Sequence, residues 1–255
     1  KKMKNLKDFG FQTNNKVFVI AEVGINHGGN LENARKLIDS AAKTGADAVK
    51  FQTYITEKRA SKNSPIFDIL KSCELPLKAF ANLKNYSEEK KVEFFSTPFD
   101  DESVDCLNSI NVKLMKIASF DVTNHLLLHK VAKTKKTVIL STGMSNLEEI
   151  NSAYEILNKE TKNIAILHCI SAYPTSEKDA NLAAIDVLRK NFSCVIGQSD
   201  HTNGIEVPIL AVAAGAQIIE KHYKIDNNMD CVDSPVSISE IQMKKLINEI
   251  RKIEI

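Results

Sequence analysis

Apolar residues recur along this chain in two alternating rhythms. Short runs rich in Val, Ile and Phe occupy 17–25 (VFVIAEVGI), 48–54 (AVKFQTY), 92–99 (VEFFSTPF), 114–119 (LMKIAS), 137–142 (TVILST), 163–170 (NIAILHCI), 193–200 (SCVIGQSD) and 217–225 (QIIEKHYKI). Their brevity and their β-branched and aromatic content predict eight strands. Between them, apolar positions recur at every third and fourth residue, as in 31–45 (LENARKLIDSAAKTG), 146–159 (NLEEINSAYEILNK) and 206–216 (EVPILAVAAGA). That spacing predicts amphipathic helices, several closed by Gly. Strict alternation of strand and helix requires parallel pairing, and eight units close into a (β/α)8 TIM barrel, with an open doubly wound sheet as the alternative.

Two segments depart from the rhythm. Ahead of the first strand, LKDFGFQTNNK carries Gly and Asn-Asn turn signals, so residues 1–16 are expected to form a short hairpin that plugs the barrel floor. The stretch 55–76 (ITEKRASKNSPIFDILKSCELP) is longer than a crossover needs and reads as an extended loop at the catalytic mouth. A final helix over 237–253 completes the eighth unit, giving one barrel domain over 17–255.

Composition narrows the setting. Lys+Arg (34) and Asp+Glu (32) nearly cancel to a net +2, so no global field argues for nucleic acid, and any anion site must be built locally. The basic ends, KKMKNLK and KKLINEIRK, read as solvated faces. Cys73, Cys106, Cys169, Cys194 and Cys231 are odd in number and lack CxxC spacing, which fits reduced thiols in a cytoplasm. No apolar stretch approaches the roughly 18 residues of a membrane span, and no signal-peptide core precedes the first strand.

Barrel enzymes carry their chemistry at the C-terminal strand ends, and here every end is polar. In chain order these ends supply Glu22, Asn26 and His27; Lys50 and Gln52; Ser96 and Thr97; Lys116, Ser119 and Asp121; Ser141 and Thr142; His168, Ser171 and Tyr173; Ser199, Asp200 and His201; Glu220 and His222. A single polar end is an ordinary helix cap, but eight in succession describe a lined mouth. Residues two apart share a face, so Lys50 with Gln52 and Glu220 with His222 point the same way. Two lysines and several hydroxyls around one cavity suit a phosphate or a phosphorylated acid. A Schiff base on Lys50 or Lys116 is the competing use of those lysines.

His201 and His222 end successive strands about 4.8 Å apart, close enough to share a cation and leave positions open for water and substrate. Histidines that merely hydrogen-bond are the alternative. His125 and His129 sit at helical spacing and read as surface or packing residues; His168 reads as a satisfied core histidine. Glu220 reads as a partner for a barrel lysine, and Asp200 as a turn cap or a residue behind an imidazole.

Taken together, IAEVGINHGG, VKFQTY, FFSTPFD, MKIAS, ILSTGM, LHCISAYPT, IGQSDHTNG and EKHY resemble, in this order and spacing, the sialic acid synthase family. The resemblance runs from about residue 17 to the end. It implies a metal-dependent, C–C bond-forming transferase that joins phosphoenolpyruvate (PEP) to an N-acylated mannosamine-type sugar aldehyde, giving a nine-carbon keto acid. By similarity His201 and His222 match the metal ligands, Mn²⁺ being expected with Mg²⁺ or Co²⁺ as substitutes. Lys50, Thr97, Lys116, Ser119, Ser141, Ser171, Tyr173 and Ser199 match positions around PEP. Asn26, Gln52 and Asp233 fall on the acceptor side, and Glu22 or Asp121 is expected to manage the proton of the attacking water.

Some positions depart from the family pattern. Ser171 stands where sialic acid synthases proper carry Asn and pseudaminic acid synthases carry Ser; Asp121, in ASFD, replaces the Glu of an SGE-type motif. Residues 230–239 read DCVDSPVSIS where many relatives have GPD. These features tilt acceptor choice away from N-acetylmannosamine. The family's full-length enzymes add a C-terminal antifreeze-like domain whose arginine reaches the partner's site, so a homodimer is expected, yet the resemblance stops short of that domain. Rival readings are a synthase of seven- or eight-carbon keto acids and a subunit that only binds sugar or PEP.

Overall fold

A computed structural model describes Phe9 and residues 16–254. Eight strands run Phe18–Gly24 (β1), Ala48–Thr53 (β2), Glu93–Pro98 (β3), Leu114–Ile117 (β4), Thr137–Ser141 (β5), Ile164–Cys169 (β6), Val195–Asp200 (β7) and Ile218–His222 (β8). Each pairs in parallel with the next, and β8 pairs with β1, so the sheet closes and the open-sheet alternative is excluded. The helices are α1 (Leu31–Thr44), α2 (Thr56–Arg59), α3 (Phe67–Cys73), α4 (Ala79–Glu89), α5 (Asp101–Ser109), α6 (His125–Lys133), α7 (Leu147–Glu160), α8 (Ala183–Asn191), α9 (Glu206–Ala213) and α10 (Glu240–Ile253).

Local chemistry sets the helix ends. The Asn30 side chain accepts the Asn33 N–H at the start of α1, and Gly45 ends that helix in the left-handed region at φ 85°, where a side chain would be strained. Reciprocal capping boxes, Asn146 with Glu149 and Ser239 with Gln242, open α7 and α10.

Strand alternation then sorts the side chains into two cores. Outward residues such as Val19, Val49, Val138 and Ile219 pack under the helices. Inward residues Phe18, Ile20, Ala48, Phe95, Leu114, Ile139, Ala165, Leu167, Val195 and Ile218 fill the lower half of the barrel. Phe9 joins that floor, buried among them. The hairpin expected over 1–16 otherwise lies outside the described residues. Above the floor the inward positions turn polar, which is what leaves a cavity at the C-terminal end rather than a pore.

The stretch 55–76 is not an extended loop. It folds into α2 and α3, which rest on a small cluster of Ile25, Tyr54, Leu70 and Cys73, with Phe99 packed against it. Burial of Leu70 and Cys73 on one face of α3 provides the apolar contact a seven-residue helix needs to persist. All five cysteines are free thiols. Among the described residues no helix is long and apolar enough to cross a membrane.

Candidate active site

Register assembles the upper barrel layer. Glu22 on β1 lies level with Lys50 on β2 and with His222 on β8, Gln52 with Thr97, and Ser199 with Glu220. These side chains line a cavity of about 480 Å³, within the usual range for a small-molecule site. Lys116, Ser119, Ser141, Ser171, Tyr173, His201 and Asp233 complete the wall together with Arg59, Ile66, Phe99, Phe120, Met144 and Cys169.

At its base lie two lysines and two glutamates. Lys50 Nζ is 3.0 Å from Glu22 Oε1 and 3.7 Å from Glu220 Oε2, and it donates to Thr97 Oγ1 at 3.2 Å. Lys116 Nζ is 3.4 Å from Glu220 Oε1, which also accepts the Ser199 hydroxyl at 2.8 Å. Burial disfavours charge on all four, but the neighbours decide differently for each. Two carboxylates overcome the burial of Lys50 and raise its pKa. Lys116, with fewer carboxylate partners, is dominated by burial and lowered. Both lysines overcome burial at Glu220 and hold it at about 2. Glu22 is raised, because burial and the nearby Glu220 charge outweigh the attraction of Lys50.

The imidazoles of His201 and His222 stand 5.4 Å apart between ring centroids, and the Tyr173 ring covers His201 at 4.0 Å. His201 Nδ1 bonds the Ile170 carbonyl at 2.8 Å, which leaves Nε2 with a free lone pair. Burial pushes the His201 pKa down to about 3, so that lone pair is not consumed by a proton. Burial also disfavours His222 as a cation, but Asp233, 3.4 Å from its Nδ1, outweighs this and raises it. His222 Nδ1, Ser141 Oγ and Glu22 Oε2 are buried without a hydrogen-bond partner, the condition in which a polar ligand is favoured. Among the described residues no three His, Cys, Asp or Glu groups meet closely enough to cage an ion. A cation held by the two imidazoles would therefore keep positions for water or substrate oxygens, and the donor set fits that use.

Most of the expected residues meet in this cavity, with two corrections among the named site residues. Asn26 does not line this cavity; its amide donates to the Tyr223 carbonyl and Ser237 Oγ, both at 3.0 Å, and accepts the Asp233 N–H at 3.0 Å. It fixes the segment that carries Asp233. Asp121 is buried beside the cavity, accepting from Asn124 at 3.0 Å, and does not line it. Alternation removes others from the ring: Ser96 bonds Thr53 at 2.7 Å and Thr142 donates to the Leu167 carbonyl at 3.0 Å. Asp200 likewise points outward. It pairs with Lys221 at 2.6 Å and accepts from Thr202 and Gln198 rather than standing behind an imidazole. His168 bonds the Ala180 carbonyl at 2.7 Å, and His125 and His129 are exposed, all as expected.

Two contributions escaped the sequence reading. Gly143 lets Ser171 approach, since a Cβ there would lie 2.6 Å from Ser171 Oγ, and its N–H bonds Ser119 Oγ at 2.9 Å, which holds that hydroxyl at the cavity wall. Arg59 reaches the wall from α2, and only the excess length of 55–76 hinted at it.

His27 is buried outside this cavity, stacked on Phe51 at 5.9 Å, and burial lowers its pKa to about 4. The unfolded chain takes up this proton first, so His27's contribution is present above about 6.5 and lost as pH falls toward 4. His27→Phe keeps the ring stacking and is expected to shrink the stability lost between pH 7 and 4 by on the order of 3 kcal/mol. Urea midpoints at the two pH values measure it; an unchanged loss would refute the assignment.

Known proteins share this frame. The model of the NeuB family matches residues 37–255. An N,N'-diacetyllegionaminic acid synthase of Campylobacter jejuni is 40% identical, over 94% of this chain and 77% of its own. A pseudaminic acid synthase of the same species is 35% identical, over 96% and 76%. The crystal structure of N-acetylneuraminic acid (sialic acid) synthetase from Leptospira borgpetersenii, in complex with citrate, superposes with a TM-score of 0.92 at 44% identity, covering 94% of this chain and 85% of that one.

Proposed function

The chain belongs to the NeuB family, and from that premise we propose that it condenses PEP with an N-acylated mannosamine-type aldose to give a sialic-acid-like keto acid and phosphate. The observation that carries the reading is the buried Lys50–Glu22–Glu220–Lys116 cluster beside two neutralisable imidazoles in one cavity. Ammonium groups and hydroxyl donors match the oxygens of a phosphorylated acid.

In this reaction C3 of PEP bonds the aldehyde carbon, water adds at C2, and phosphate leaves as the C2–O bond breaks. Lys50, Lys116, Thr97, Ser119, Ser141 and Ser171 bind PEP so that the two carbons meet. Ser199 already gives its proton to Glu220, so toward PEP it offers lone pairs unless that bond is exchanged. Glu22 takes the water proton: it lines the cavity, burial raises its pKa and so strengthens it as a base, and Asp121 does not reach the wall. His201 and His222 would hold a divalent cation, Mn²⁺ being the ion the family resemblance implies, and such a cation would polarise the aldehyde oxygen. Asp233 and Gln52 face the acceptor.

Phosphate release from PEP is the direct test, with N-acetylmannosamine, 2,4-diacetamido-6-deoxy hexoses and unacylated or phosphorylated aldoses as acceptors. Stoichiometric release that requires an acylated acceptor is expected. Preference for a phosphorylated aldose would assign a seven- or eight-carbon synthase instead. PEP binding without release from any acceptor, with the C-terminal domain of a relative supplied in trans, would reduce the chain to a binding subunit.

A further inference from the structure

The cavity holds a third cation, Arg59, for which the chemistry above has no use. Its guanidinium carbon lies 3.8 Å from the Phe99 ring centroid and 4.7 Å from that of Tyr54, within cation–π range of both. Phe120 stacks on Phe99, with ring centroids 5.6 Å apart at an interplanar angle of 11°. Arg59 Nη1 donates to Gln52 Oε1 at 2.9 Å. That bond fixes the Gln52 amide: its carbonyl is taken, so its NH₂ turns to Gly24, where a Cβ would lie 3.5 Å from Nε2 and 3.3 Å from Asp233 Oδ2. A guanidinium has five N–H donors, and stacking leaves those at its edge able to reach a ligand.

We propose that Arg59 selects the acceptor: it orients Gln52 and donates to the carbonyl of the acceptor's N-acyl group, while Ile66, Phe99 and Phe120 take the acyl methyl. The proposal rests on the PEP-aldose reading of the same cavity. An acyl group combines one strong acceptor oxygen with an apolar end, and this corner pairs one fork of donors with an apolar wall. A phosphate dianion fits less well. Asp121 and Asp233 both act electrostatically on Arg59, so the corner has one cation set against two carboxylates. A neutral carbonyl brings no charge into that balance.

Arg59→Met keeps the apolar stem; Arg59→Lys keeps the charge without the planar fork. Steady-state phosphate release is followed with an N-acetylated hexosamine and with the corresponding unacylated sugar, the latter as substrate or competitive inhibitor. R59M is expected to raise the KM for the acylated acceptor about 10- to 100-fold, the size of a lost charge-assisted hydrogen bond. The KM for PEP stays as it was, the unacylated sugar loses only the smaller share that the orientation of Gln52 carries, and R59K restores little. An equal loss for both sugars, a raised KM for PEP, or full rescue by R59K would overturn the proposal. If the parent chain, with a relative's C-terminal domain supplied, releases no phosphate with any acceptor, the reaction itself is refuted and this role with it; a working parent without acyl preference refutes this role alone.

Discussion

Replacing His201 or His222 by Ala is expected to lower PEP turnover by about 10³-fold, the effect of losing several kcal/mol of stabilisation at the aldehyde oxygen. His201 is prepared as a ligand by its bond to the Ile170 carbonyl, whereas His222, whose Nδ1 lies 3.4 Å from Asp233, is held toward its protonated form and would have to give up that proton to bind a cation. The single substitutions should also weaken Mn²⁺ binding measured by calorimetry or competition with a chromophoric chelator. Each change leaves the lysine and glutamate cluster in place, so PEP binding should persist. Wild-type Mn²⁺ affinity in both variants would remove the two histidines as ligands, and full activity after exhaustive chelation would remove the cation from the reaction.

Lys221→Met should have the largest effect on stability. Lys221 and Asp200 are a fully enclosed pair, with side chains 0% and 1% exposed, on the outward faces of β8 and β7. Lys221 also donates to the Thr202 carbonyl, and Asp200 accepts from Thr202 Oγ1 at 2.8 Å and from Gln198 at 3.1 Å. Removing the ammonium strands a carboxylate under the helices, at a cost of about 3–5 kcal/mol, out of the roughly 5–15 that hold a domain folded. The double variant D200N/K221M should recover much of that loss, because Asn keeps an acceptor for Thr202 without the charge. Urea unfolding of the four proteins gives the coupling energy directly. A loss below about 1 kcal/mol for K221M would mean that water reaches the pair.

The same pair marks where the sequence was legible and where it was not. Alternation of strand and helix specified the barrel, because parallel pairing leaves few ways to close eight units. Alternation within EKH likewise puts Glu220 and His222 on one face, but it gives no sign of the outward Lys221 as the partner of Asp200, which reads from sequence as a turn cap or a residue behind an imidazole and does cap the turn through Thr202. Polarity at a strand end does not reveal which way a side chain turns once the strand bends out of register. Asn26 and Asp121 lie off the cavity wall for that reason, since both come after the last paired residues, Gly24 and Ile117, Asp121 at the end of a 3-10 turn. Arg59 depends on α2 docking against Phe99, the residue after β3, a contact between residues 40 apart in sequence that no local pattern encodes.

The wall formed by α2 and α3 rests on its own small cluster, Ile25, Tyr54, Leu70 and Cys73, separate from both barrel cores. That separation makes the segment exchangeable. Its sequence can drift, or be transplanted from a relative, without disturbing the floor that keeps the barrel closed or the lysines and glutamates at its base. Proteins built on this barrel could thus change what the outer wall of the cavity admits by renewing some twenty residues.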